Sequence, residues 1–88
     1  MRLELTGNLR RYVGYDFAIE LDAHTVRGAV QMLGDRYPAA RPVLLDAAGG
    51  LRSVHRLVLN GTLLGRNELG RAVGPADELV ILTPITGG

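Results

Sequence analysis

The stretch "ELVILTPITGG", residues 78–88, joins two unlike halves: an unbroken apolar run from Leu79 to Leu82, and a short tail that ends on paired glycines. A strand with one wet face alternates apolar and polar residues, so a continuous apolar run points to a strand in the middle of a sheet or covered on both faces. Pro84 cannot donate to a ladder, and pairing is expected to end there. Thr83 precedes a proline, Pro84 has a fixed φ, and Ile85 and Thr86 are β-branched, so the tail should leave the strand extended. From Ile85 to Gly88 such a tail reaches ~13 Å at about 3.3 Å per residue. Gly87 and Gly88 have no Cβ, which lets a backbone enter a narrow channel and lets a reagent approach the Gly88 carboxylate closely. A carboxylate resists nucleophiles until its oxygen becomes a leaving group, and adenylation by ATP would make it one. The plain alternative is a frayed end, where small residues are common.

Working outward, residues Met1 to Thr6 alternate, with Met1, Leu3 and Leu5 on one face and Arg2, Glu4 and Thr6 on the other. Asp16 to Leu21 alternate again through Phe17, Ile19 and Leu21, and the two runs are expected to pair antiparallel across the loop "GNLRRYVGY". Thr25 is a candidate N-cap for a helix in which Val26, Val30, Leu33 and Tyr37 share one stripe, widened by Ala29 and stopped by Pro38. Gly28 and Gly34 lower its intrinsic propensity, so it must depend on packing. Residues 39–50, "AARPVLLDAAGG", read as a loop with room for one short helical turn. A strand around Val54 to Leu59 closes on the Asn60-Gly61 turn, and Thr62 to Leu64 make a short return. Leu69 and Val73 should seal the core edge. The order implies one mixed sheet of four to five strands with a main helix packed across it, an α+β domain spanning 1–88 with a flexible tail at 84–88. The last strand should lie centrally, beside the first.

Eighty-eight residues support one core, and 47% hydrophobic content is enough to fill it. Ten basic residues interspersed with nine acidic ones leave a net charge of +1, which argues against nucleic acid or an anionic membrane as partner. No apolar run is long enough to span a bilayer, and the charged, alternating start does not read as a signal peptide, so a cytoplasmic location is expected. The absence of cysteine excludes disulfides, thiolate metal sites and a cysteine nucleophile; any sulfur handled must be brought in. All ten basic residues are arginine, leaving the α-amino group of Met1 as the one primary amine. Codon bias accounts for this simply, although a protein bearing an activated acyl group would also be safer without lysines.

The alternating first strand, the helix start "HTVRGAVQML", the "VLNG" turn and the ending "ADELVILTPITGG" together resemble the ubiquitin-like sulfur carriers of the MoaD/ThiS type, over nearly the whole chain. In the small subunit of molybdopterin synthase the tail reads Pro-Pro-Val-Ser-Gly-Gly or close to it; here Thr83 replaces the first proline, and Ile85 and Thr86 stand for valine and serine. Pro75-Ala76-Asp77-Glu78 stands where that family often has Asp-Gly-Asp-Glu. The resemblance implies the β-grasp fold and a carrier rather than an enzyme. It further implies that an ATP-using, ubiquitin-activating-type enzyme adenylates Gly88 and that a sulfur donor such as a persulfide enzyme converts it to a thiocarboxylate. A sulfur-accepting synthase would then admit the tail, Thr83, Pro84, Ile85, Thr86 and Gly87, and take the sulfur. No cofactor or metal is expected on the domain itself. Molybdopterin, cysteine, thiazole and secondary-metabolite pathways all draw on such carriers, and the length resembles the molybdopterin and cysteine types more than the thiazole type.

The competing reading is a ubiquitin-like modifier joined through Gly88 to another protein, or a non-covalent interaction module. His24 and His55 have no acidic partner or third ligand at metal spacing and read as surface or capping histidines. Arg10-Arg11 and the pair Arg52 and Arg56 read as solvated charges, with docking to an acidic partner as the functional alternative. Neither "GGLRS" nor "GPADE" has the strand, glycine spacing and lysine of a phosphate-binding loop.

Overall fold

The structure is a computed structural model that describes residues 1–14 and 18–83. Five strands, β1 (Arg2–Leu5), β2 (Ala18–Glu20), β3 (Arg56–Leu59), β4 (Thr62–Leu63) and β5 (Glu78–Leu82), form one sheet in the order β2-β1-β5-β3-β4. β5 runs parallel to β1, with Leu3 opposite Leu79 and Leu5 opposite Ile81, and antiparallel to β3, with Leu57 opposite Ile81. The apolar run thus marks a central strand. Leu79 and Ile81 point into the core and are completely buried, whereas Val80 is half-buried and Leu82 is 41% exposed. The run is explained by its place mid-sheet rather than by cover on both faces.

Helix α1 (Val26–Arg36) crosses the inner face, burying Val26, Ala29, Val30 and Leu33 against Leu3, Leu5, Leu57 and Leu79 in one cluster. Val26, Val30 and Leu33 so buried contribute about 1.5–3 kcal/mol each, which carries a helix weakened by two internal glycines. Thr25 caps it as expected, its Oγ1 accepting the Gly28 N–H at 2.9 Å. Two further N–H groups of the first turn, which have no partner inside a helix, donate to the carbonyls of Arg71 (from Val26) and Leu69 (from Arg27). Leu69 and Val73 pack against the core edge beside it. This mixed sheet with one main helix is the expected β-grasp arrangement.

Three local readings are corrected. The loop after β1 is a 3-10 helix, Gly7–Val13, whose Leu9 and Val13 are buried under one end of the sheet. Residues 39–50 hold two helical pieces, a 3-10 turn at Pro38–Ala40 and α2 (Arg41–Leu44), because Ala40, Leu44 and Leu45 supply an apolar face that closes the core. β3 begins at Arg56 rather than Val54; Val54 is 56% exposed and Arg52 to His55 form a turn, with the His55 N–H donating to the Arg52 carbonyl. β2 pairs antiparallel with β1 as expected, over Ala18 to Glu20, and the readings at Asp16 and Phe17 lie outside the described residues. The α-amino group of Met1 is folded in, donating to the Leu21 carbonyl at 2.7 Å.

At the end of the sheet away from the tail, the Asn60-Gly61 turn takes positive φ at both residues. Asn60 Nδ2 donates to Asp77 Oδ1, Asp77 Oδ2 accepts the Gly74 N–H, and Asn60 Oδ1 accepts the Glu78 N–H. The Asn60 amide, and then the Gly74 N–H, hold the Asp77 carboxyl below its ordinary pKa.

Candidate functional site

β5 delivers the chain to Thr83, and Thr83 is held from three sides. Thr6, just past the end of β1, donates its hydroxyl to the Ile81 carbonyl at 2.8 Å and accepts the Thr83 N–H at 3.0 Å. One side chain therefore closes the β1–β5 ladder and fixes the backbone beyond it. Gly7 lies flat against the same point: a Cβ there would stand 3.0 Å from the Thr83 carbonyl oxygen, and its φ of +63° is one that L side chains rarely adopt.

The third contact is His55. Its Nε2 lies 2.8 Å from the carbonyl oxygen of Val43 on α2, and its Nδ1 lies 3.2 Å from Thr83 Oγ1. A carbonyl only accepts, so Nε2 carries the proton; in the neutral ring Nδ1 is then the acceptor, and the Thr83 hydroxyl donates to it. His55 is only 5% exposed, so of the two expectations, surface or capping, the surface one is corrected, and the ring bonds a carbonyl of α2 instead. The signal was in the alternation: His55, immediately before β3, continues the buried every-other-residue pattern of Leu57 and Leu59. His24 is exposed, as expected.

Of the tail residues singled out by sequence, Thr83 is half-buried in this clamp, while Pro84, Ile85, Thr86, Gly87 and Gly88 lie outside the described residues. The clamp does no bond chemistry. It fixes Thr83, the last described residue, at the end of a central strand. Among the described residues no three His, Asp or Glu side chains gather as a metal site, and no helix is long and apolar enough to cross a membrane.

The remaining sequence-marked charges fall at the same end of the molecule. Arg10 and Arg11 are exposed on the 3-10 helix that begins at Gly7, and the Arg11 guanidinium lies over the Tyr12 ring at 5.9 Å. Arg52 and Arg56 flank His55, and sequence reading missed a third arginine, Arg66, which the fold brings to the same turn.

No curated protein matches the chain. Among solved structures it is similar to small archaeal modifier protein 1 (SAMP1) of Methanosarcina acetivorans, 26% identical with a TM-score of 0.85, covering 99% of this chain and 94% of that one. It is similar to SAMP1 of Haloferax volcanii at 26% identity and a TM-score of 0.80, covering 99% and 97%. It also shares its fold with a chain of the Amycolatopsis orientalis BexX/CysO complex, at 21% identity and a TM-score of 0.81, covering 99% and 98%. A family model, the ThiS family, matches residues 3–88, a span that includes both the clamp and the paired glycines. The chain belongs to the ThiS family of ubiquitin-like sulfur carriers.

Proposed function

We propose that this protein carries sulfur on the carboxylate of Gly88. The observation that supports the reading best is the family match over residues 3–88, with Thr83 held by the side chains of Thr6 and His55 at the end of a central strand. A Gly88 carboxylate oxygen attacks the α-phosphorus of ATP in the active site of a ubiquitin-activating-type enzyme, and pyrophosphate leaves. Hydrosulfide, or the terminal sulfur of a persulfide, then attacks the acyl carbon; the C–O bond to AMP breaks as the C–S bond forms. With a persulfide donor, a thiol then reduces the remaining S–S bond. The resulting thiocarboxylate is the nucleophile that a sulfur-accepting synthase admits with the tail Pro84 to Gly87: its sulfur attacks an electrophilic carbon of the acceptor, whose leaving group departs. Water then cleaves the acyl–sulfur bond of the thioester so formed, which leaves the sulfur on the acceptor and returns the Gly88 carboxylate. The domain is a co-substrate rather than an enzyme, and it needs no bound cofactor of its own.

A second reading, protein modification through Gly88, is favoured by the modifier name of the two SAMP1 relatives. Intact mass after incubation with the adenylating enzyme, ATP and sulfide separates the two. Exchange of one oxygen for sulfur supports the carrier, a ladder of larger conjugates in lysate supports the modifier, and an unchanged mass in both rejects both. Deleting Gly87 and Gly88 should abolish loading and leave the fold intact; loading that survived would refute the assignment of the acyl group to Gly88.

A further inference from the structure

Beside the tail base lies a cavity of about 320 Å³, lined by the buried Leu57 and Leu64, with the exposed Leu63, Arg52, Arg56 and Arg66 around it. His55 lines it too, so the wall of this cavity is the residue that holds Thr83. The volume lies within the range of real ligand pockets, and the lining is mainly apolar, the combination that accepts a side chain rather than a fully hydrated ion.

The rim is unusual in its charge balance. Arg52 Nε donates to the Pro42 carbonyl at 2.7 Å, Arg56 donates to the carbonyls of Ser53 (2.8 Å) and His55 (3.2 Å), and Arg66 donates to Ser53 at 3.2 Å. Among the described residues no carboxylate stands within ion-pair distance of any of the three. Two acids of adjoining segments are engaged elsewhere. Glu68 accepts the Gly65 N–H and pairs with Arg71, and Asp46 accepts the N–H groups of Ala48 and Gly50. Backbone carbonyls therefore gather three exposed cations around an apolar opening without neutralising them, while Leu63 stands 60% exposed at its lip.

We propose that this groove docks a peptide segment of the enzyme that receives the tail, a segment with an apolar side chain, leucine or aromatic, flanked by aspartate or glutamate. Complementary charge steers such a segment to the rim and fixes its register, and the apolar residue fills the cavity. Because Arg56 pairs with Leu82 across β3 and β5, a partner seated here lies where the tail departs. Assigning the segment to a tail-receiving enzyme rests on the carrier reading above.

The test is selection of a random dodecapeptide display library on the full-length protein. Enriched peptides should place leucine, phenylalanine or tryptophan beside acidic residues. A synthetic copy of the consensus should shift the amide resonances of Arg52, Arg56, Leu63 and Arg66. Its affinity should fall about tenfold or more in the triple Arg52→Gln, Arg56→Gln, Arg66→Gln variant, and also at high salt. Single variants Arg56→Gln and Leu63→Ser, each checked by thermal melting, cover the case in which the triple variant does not fold. No enrichment, enrichment without acidic residues, or shifts centred on another face overturns the proposal. So do equal shifts from inorganic phosphate alone, which mark a small-anion site, or shifts that grow with protein concentration alone, which mark self-association. Sulfur loading on the same preparation reports separately. Loading without selection overturns the groove alone; selection without loading overturns the carrier reading and the assignment of the peptide to its enzyme.

Discussion

Thr83→Val tests the tail clamp with the least disturbance, since valine keeps the β-branched shape and removes only the hydroxyl. In the native protein that hydroxyl satisfies His55 Nδ1, on a side chain 5% exposed whose other nitrogen is committed to Val43. The variant loses one hydrogen bond and leaves a buried acceptor without a partner, at a cost of about 1–2 kcal/mol. For a domain of this size that lowers the Tm by roughly 5–15 °C. Urea denaturation followed by circular dichroism should show the midpoint move with an unchanged slope. His55→Leu should cost more, about 2–4 kcal/mol, because the Val43 carbonyl and the Thr83 hydroxyl both lose their partner. The two losses share one bond, so the double variant should be less destabilised than their sum by about 0.5–1.5 kcal/mol. A Thr83→Val change within about 0.3 kcal/mol of the native protein, or strict additivity in the double variant, would refute the clamp.

Gly7→Ala should destabilise by about 1–3 kcal/mol, because it combines a positive φ with a Cβ pressed on the Thr83 carbonyl; urea denaturation again measures it. Asp77 has a lowered folded pKa, owed first to the Asn60 amide and then to the Gly74 N–H, so its contribution is present above the ordinary carboxylate range and is lost as pH falls through it. The Tm difference between the native protein and Asp77→Asn should therefore be largest near neutrality and shrink below about pH 4; a difference independent of pH would contradict this. Leu79→Ala, at a fully buried position mid-sheet, should cost about 2–5 kcal/mol by the same denaturation measurement.

The sheet was legible because period and punctuation agree along most of it: alternation at Met1 to Thr6, the Asn60-Gly61 turn and the apolar run at β5 each act over neighbouring residues. The misread parts depend on distant pairing. Gly7 to Val13 looked like a loop because glycine and arginine dominate it, yet Leu9 and Val13, four apart, are its core contacts. His55 was judged by residue type rather than by its place in the buried alternation with Leu57 and Leu59, and its partners, Val43 and Thr83, lie far away in the chain. Arg66 has no sequence relation to Arg52 and Arg56; only the shared Ser53 carbonyl brings it to Arg56. The tail shows the reverse: Pro84 to Gly88 carry their message in residue type alone, through a fixed φ, two β-branched residues and two missing Cβ atoms.

The parallel pairing of β5 with β1 has a consequence for the order of events in the cell. Strands made first and last must meet at the centre of the sheet, so the contacts that hold the fold are among the longest-range the chain offers, and closing them is slow. During synthesis β1, β2 and β3 wait with a vacant central position until β5 emerges. The strand that completes the core is also the one that carries Thr83 into its clamp. Folding of the core and clamping of Thr83 are thus a single step, so under the proposed carrier reading any enzyme that recognises the clamped end meets only finished molecules.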